Sequence, residues 1–426
     1  MLWDREPLRR NATTLRQVFP TLPCLARWSH AYRGQQRYLA GARLPRRRWG
    51  LPRHRRVQAE QLPRIRPVSL LKEPSRAWQS RGCGSSFSSP SGYRENMTKD
   101  RESETPDTLG GVGELAALKR IFPRLPSAAA ELIGPGDDSA VLAAPDKRVV
   151  ITTDMMIHGP DFRLAWSTPY DLGWKAAATN LSDIAAMGAV PTGLVVAIAA
   201  PTDTPISSLE AIADGLRESC EALAPGSGVI GGDLSVSTVL TIVITAFGDL
   251  EGREPVLRSG ARVGDVIAVS GTLGLAAEGL RLLFDEGVVD GQPDAAAAAA
   301  LAQQHPYALA AQLRPEPPIA DGKAAALGGA TAMLDLSDGL AIDARRIATA
   351  SGVALDLSSE AVGGRVQLDG GEDHSLLATF PESVALPAGF RAIGRVVDGA
   401  GLLVDGVEYT ERGGWDPYAG WDGAVG

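Results

Sequence analysis

Apolar positions recur with two different spacings along residues 97–426, and the alternation between the two predicts a succession of strands and helices. Spacing near 3.6 marks helices at 112–122, 171–187, 206–223, 275–284, 295–302 and 340–350. In the second of these Leu172, Ala176, Leu181 and Ile184 share a stripe, and Asp183 sits beside it. Short runs rich in β-branched residues predict strands at 148–153, 192–199, 228–230, 238–247, 265–271, 353–357, 376–380 and 391–396. Interleaved strands and helices place the chain in the α/β class. A break at 248–260 divides it into an N-terminal α/β domain, 97–250, and a C-terminal one, 251–426.

Charge separates the first 96 residues from the rest. The whole chain carries a formal net charge of −8. Residues 1–96 hold 20 of its 42 basic and 5 of its 50 acidic side chains, a net +15, which leaves −23 for 97–426. The basic segment, with runs such as R-L-P-R-R-R-W-G-L-P-R-H-R-R at 43–56, has neither period. It suits an organelle transit peptide, a nucleic-acid-binding arm or a contact with an anionic membrane. The reading its composition favours is a disordered extension, or sequence upstream of a true start at Met97. Beyond it Cys220 is the single thiol, which excludes a disulfide framework or a thiolate metal motif. Apolar runs such as 193–200 and 239–247 are too short to cross a bilayer. These features describe a soluble, cytoplasmic protein.

Five acidic motifs change the picture from a fold to a chemistry. They are G-P-G-D-D-S-A-V (134–141), V-V-I-T-T-D (149–154), N-L-S-D-I-A-A-M-G-A (180–189), V-I-G-G-D-L-S (229–235) and L-D-L-S-D-G-L (334–340). Each sets carboxylates beside glycine or hydroxyl residues where an apolar run ends, the pattern that gathers hard oxygen ligands for Mg²⁺ near a phosphate. Each also has an ordinary reading. Asp137 and Asp138 follow a Pro-Gly turn, and Thr152, Thr153 and Asp154 suit a helix cap at a strand end. Asp183, close to a buried stripe, needs a partner or a cation. Gly231, Gly232 and Asp233 resemble a phosphate approach. The three-residue spacing of Asp335 and Asp338 allows both to face one cation around a turn. No Walker A motif, kinase signature or nucleophile elbow is present. Carboxylates that meet a polyphosphate require intervening cations, so metal-assisted phosphoryl transfer without a protein nucleophile fits best.

These motifs, together with R-S-G-A-R-V-G-D (258–265) and G-G-E-D (370–373), follow one another from 111 to 415 in an order that closely resembles the thiamine-monophosphate kinase family. That family belongs to the aminoimidazole ribonucleotide synthetase-like superfamily, with selenophosphate synthetase and a hydrogenase-maturation dehydratase. The resemblance implies that superfamily's two-domain fold and a homodimer formed through the N-terminal domains. It implies transfer of the ATP γ-phosphate to thiamine monophosphate by direct in-line attack with several Mg²⁺ ions, and no nucleic-acid or membrane partner. Matched by position, Asp138, Thr152, Thr153, Asp154, Asp183, Asp233, Asp335 and Asp338 look like Mg²⁺ ligands. Gly232, Asp233, Arg258 and Ser337 resemble nucleotide contacts, and Asp161, Glu372 and Trp415 stand where the thiamine portion is held. The chain departs from the pattern in having Asp161 in place of a frequent His, His374-Ser375 in place of Tyr-Glu, and W-D-P-Y in place of W-D-H-F. The alternatives are a selenophosphate synthetase-like enzyme, for which the reactive Cys and loop Lys are missing, and a nucleic-acid-binding protein that uses the basic arm.

Overall fold

The computed structural model describes residues 107–135 and 139–414. The expectations for residues 1–96, Asp137, Asp138 and Trp415 lie outside the described residues. After a short helix, α1 (Glu114–Ile121), the first sheet is built from β1 (Val150–Ile157), β2 (Val190–Ala200), β3 (Val229–Val236) and β4 (Thr241–Asp249) in the order β1-β4-β2-β3. β4 runs antiparallel to both neighbours, and β2 and β3 are parallel. A parallel pair needs a crossover, which α3 (Ile206–Leu223) supplies, while α2 (Pro169–Ala186) connects β1 to β2.

The helix α2 starts where the sequence provides a complete cap. Thr168 accepts from the Asp171 N–H, Asp171 accepts from the Thr168 N–H, and Pro169 fills the first turn. It ends at Met187–Gly188, where Gly188 takes φ +71° and its N–H reaches Ala185 O at 2.8 Å. Almost every residue of α2 is buried, so its apolar surface is not a single stripe. One side packs on α3 and the first sheet, the other on the second half of the chain. Glycines set the closeness of the α2–α3 crossing. A Cβ at Gly173 would stand 2.0 Å from Ile212 O, and one at Gly215 would stand 2.1 Å from Tyr170 O.

The second half contains α4 (Leu275–Glu286), α5 (Ala295–Gln304), α6 (Pro306–Leu313), α7 (Ile319–Leu327) and α8 (Leu340–Ser351). Its strands are β5 (Val266–Ser270), β6 (Ala332–Leu336), β7 (Ala354–Leu357), β8 (Ser375–Phe380), β9 (Phe390–Val397), β10 (Gly401–Val404) and β11 (Val407–Glu408). They form a seven-stranded sheet in the order β6-β8-β5-β9-β7-β10-β11, in which only β7 and β10 are parallel. The predicted helices and strands are present, and the α/β class holds with largely antiparallel sheets. Two expectations are corrected. Thr152, Thr153 and Asp154 lie inside β1 and not at its end, because unbroken pairing with β4 continues to Ile157. Gly231, Gly232 and Asp233 are likewise inside β3, held extended by β2. Strand pairing there overrides the turn preference of Gly and Asp. The helices α6 and α7 and the strands β6, β10 and β11 had no predicted counterpart.

Replacing Gly173 or Gly215 by Ala is expected to cost about 3 kcal/mol of stability, since helix backbones and not flexible side chains must move apart. Urea unfolding of each variant measures this. A loss below about 0.5 kcal/mol would mean that the crossing relaxes freely.

Candidate active site

Four polar side chains on α2 meet three other elements: β1, β6 and the loop that carries Glu372. The Thr152 hydroxyl, from β1, donates to Asp183 Oδ2 at 2.7 Å. Asn180 Oδ1 accepts from the Asp154 N–H at 3.1 Å. The Ser182 hydroxyl donates to Asp335 Oδ2 on β6 at 3.0 Å, and Lys175 Nζ lies 2.9 Å from Glu372 Oε1. The loop with Glu372 is fixed against β6 and the turn after it: the Glu372 N–H donates to Ser337 O (2.8 Å) and the His374 N–H to Leu336 O (3.0 Å). Both residues take positive φ, +67° and +50°, a conformation that costs side-chain-bearing residues energy and concentrates at functional sites. It brings His374 Nδ1 to 3.4 Å from Asp335 Oδ2.

Burial and like charge dominate the electrostatics. Burial, and then the charge of Asp335, push the Asp183 carboxyl up to about 7. Asp154 retains exposed surface, yet the protein around its carboxyl and the charge of Asp335 raise it as well. Burial also works to raise Asp335, but the hydrogen bond and charge of His374, helped by Ser182, hold it below the usual carboxylate range. The His374 imidazole is raised in return: burial opposes its charge, and Asp335 outweighs burial. The result is a group of mutually repelling acids with a buried imidazole against it.

Next to this group lies a cavity of about 460 Å³ whose lining includes Asp161, Arg163, Trp166, Lys175, Gln312 and Glu372. Arg163 lies 4.9 Å from the ring centres of both Trp166 and Phe284. Asp161 accepts from the Ile157 N–H at 2.7 Å and so closes the turn after β1; burial raises its carboxyl. Glu372 is fully engaged, with one oxygen on Lys175 and the other on the Gln312 amide. Despite burial, these partners keep its carboxyl below the ordinary range.

The expected site residues therefore divide. Thr152, Asp154, Asp183 and Asp335 come together, and Asp161 and Glu372 share the adjoining cavity. Thr153 does not join them: successive strand residues face opposite ways, and its hydroxyl donates to Ile244 O on β4 at 2.8 Å. Asp233 and Gly232 stand on the opposite edge strand, three strand spacings or about 14 Å from β1. Asp335 and Asp338 take different partners. Asp335 faces His374, while Asp338, beyond the strand end, pairs with Arg346. Ser337 is half-buried, with its carbonyl on the Glu372 N–H. Arg258 is exposed, and its charge reaches Asp335. Sequence reasoning missed Lys175, Arg163, Gln312 and the role of His374. A lysine and a glutamine within apolar helical stretches were the available signal.

Among the described residues, no three acids, histidines or cysteines converge tightly enough to enclose a metal by themselves. The donor set still suits Mg²⁺, which keeps water and substrate phosphates among its ligands and takes one or two carboxylates from the protein. The uncompensated repulsion at Asp154 and Asp183 is what a cation would relieve.

Known proteins resemble this chain over much of its length. The family described as AIR synthase related protein, N-terminal domain, matches residues 136–250. The thiamine-monophosphate kinase of Mycobacterium tuberculosis (strain CDC 1551 / Oshkosh) is 44% identical over 75% of this chain and 96% of its own length. The solved thiamine-monophosphate kinase of Stenotrophomonas maltophilia K279a superposes with a TM-score of 0.58 at 31% identity, covering 69% of this chain and 97% of its own. AaThiL complexed with AMPPCP and TMP gives a TM-score of 0.54 at 31% identity, over 65% of this chain and 90% of its own.

In metal-free buffer, Asp183→Asn is expected to stabilise the protein. An ordinary Asp near 3.8 releases its proton first in the unfolded chain. From there up to about 7 the folded chain keeps a proton that the unfolded one has lost, so wild-type stability falls as pH rises through that window. The variant escapes this loss, and its melting temperature should exceed wild type by ~2–4 °C above pH 7 and by less at pH 5. Thermal melts across that range decide it, and a margin that shrinks as pH rises would contradict the repulsion.

Proposed function

The chain belongs to the thiamine-monophosphate kinase family, and we propose that it moves the γ-phosphoryl group of ATP directly onto the phosphate of thiamine monophosphate, giving thiamine diphosphate and ADP. The observation that supports this most is the contact between two unlike regions: a cluster of repelling carboxylates and, beside it, an open cavity with aromatic, cationic and anionic walls. The first suits the cation-bound phosphates of a nucleotide. The second suits a small molecule with a cationic ring and an anionic tail.

Asp154, Asp183, Asp335 and Asp338 would hold Mg²⁺, with Thr152 fixing the orientation of Asp183 and His374 that of Asp335. Bound Mg²⁺ supplies charge neutralisation between the carboxylates and the phosphates, and polarises the phosphoryl oxygens. The protein's part is to fix the two substrates in line and keep water away, because phosphoryl transfer asks for positioning and electrostatic stabilisation more than for covalent chemistry. Lys175 stands between cavity and cluster, where its ammonium faces the acceptor's phosphate end. Asp161 and Glu372 give the cavity the negative charge that suits the thiazolium. Arg258 and Ser337 serve the nucleotide side.

The same reading assigns 97–250 and 251–426 as the two domains and includes a homodimer. One face of the first sheet is covered by α2 and α3, while the other is open and bears Ile151 and Met155, 61% and 55% exposed. Thr153 lies on that open face, so a second copy placed there would cover a hydroxyl and a carboxylate, Asp233, that the single-chain cluster leaves out. Among the described residues no helix is long and apolar enough to cross a membrane, in keeping with a cytoplasmic enzyme.

Incubation of the purified full chain with ATP, Mg²⁺ and thiamine monophosphate should yield thiamine diphosphate by chromatography, with Asp154→Ala lowering the rate at least ~10³-fold. Equal rates from both proteins would remove Asp154 from the reaction. Met155→Glu, which sets a charge on the open face, should convert a dimer to a monomer by light scattering. A variant that keeps the wild-type mass would exclude that face as the contact.

A further inference from the structure

Arg346, on α8, is shared between two acids in different surroundings. One end of its guanidinium pairs with Asp343 and the other with Asp338. Asp343 is 1% exposed, and its second oxygen accepts from the N–H groups of Asp338 (3.2 Å) and Gly339 (3.1 Å). One buried carboxylate therefore fixes the turn after β6 and holds the guanidinium at once. Asp338 is held twice, by its backbone through Asp343 and by its side chain through Arg346. It stays close enough to the acidic cluster for its charge to act on the Asp154 carboxyl. Among the described residues Asp154 and Asp183 form no ion pair and Asp335 meets an imidazole, whereas Asp338 is matched by an arginine.

We propose that Arg346 is a positioning residue for Asp338: it holds that carboxylate when no metal is bound and yields it to Mg²⁺, and so sets how tightly the cation is held. This rests on the metal-assisted reading above and deepens it. The exchange costs the arginine little. A buried charge stripped of its only partner would resist release, but Arg346 keeps Asp343 throughout. Its side chain is also 37% exposed, so water can meet the freed nitrogen. A planar fork makes such a division possible, because separate nitrogens serve the two carboxylates. Asp343 is not free to follow the cation, since it is buried and its other oxygen is committed to two backbone N–H groups. A carboxylate already matched by a guanidinium attracts a cation less than a bare one. The pair therefore opposes metal binding while it keeps Asp338 near the cluster.

The test titrates the full-length protein with Mn²⁺ in the absence of nucleotide and follows the free ion by electron paramagnetic resonance. Arg346→Met should bind Mn²⁺ about 3–10-fold more tightly than wild type. Arg346→Lys, one nitrogen in place of a fork, should show a smaller gain. It also guards against a folding defect, since Asp343 keeps a cation beside it. In an Asp338→Asn background, Arg346→Met should change Mn²⁺ binding by less than about 2-fold, because the contested carboxylate is gone. Unchanged or weaker Mn²⁺ binding in both folded Arg346 variants overturns the inference. The same gain with Asp338→Asn present also overturns it, since the arginine would then act through its field and not through that carboxylate. A wild-type protein that binds no Mn²⁺ removes the metal reading beneath it, and is recognised before any variant is compared.

Discussion

The structure depends on a helix that is buried all round and is nevertheless polar. α2 has no water-facing side on which to hide Asp171, Lys175, Asn180, Ser182 and Asp183, so each must find its partner in another element. Asp171 is met by Arg314, Lys175 by Glu372, Ser182 by Asp335 and Asp183 by Thr152. Two of these partners, Glu372 and Asp335, lie in or beside the seven-stranded sheet, and one lies in the four-stranded sheet. The requirement to satisfy a central helix thus joins the halves of the fold, and the site forms where those requirements meet. Apolar packing with glycine-set spacing holds α2 in place; its polar groups decide what is placed around it.

The cost of this arrangement is electrostatic. His374 compensates Asp335, and nothing comparable compensates Asp154 and Asp183, whose carboxyls are both raised. Helix capping shows the contrast within the same loop: Asp373, adjacent to Glu372, accepts from the Gly274 and Ala276 N–H groups at the start of α4.

Much of this was legible in the sequence, for reasons that can be stated. The long helices at 169–186 and 206–223 have strong periodicity and clear ends, and Asp183 beside the stripe of Leu181 and Ile184 already implied a paired acid. The order of the acidic motifs pointed to the family. What could not be read was direction. Thr152 and Thr153 are chemically alike, and only the pairing of β1 with β4 shows that they face apart. The spacing of Asp335 and Asp338 suggested a shared turn, whereas a strand ends between them. Gln312 and Lys175 lie in helices whose apolar neighbours hid them, and they meet only because α6 and α2 pack against the same loop.

The opposite facing of Thr152 and Thr153 also limits how this lineage can change. β1 lends alternate residues to the acidic cluster and to the open sheet face, so a shift of one residue in its register would exchange the two sets. Asp154 would turn outward and Met155 would enter the acidic cluster. A single insertion or deletion between Val150 and Ile157 would therefore disturb the acidic cluster and the open sheet face together. A substitution in this strand, by contrast, alters one face at a time.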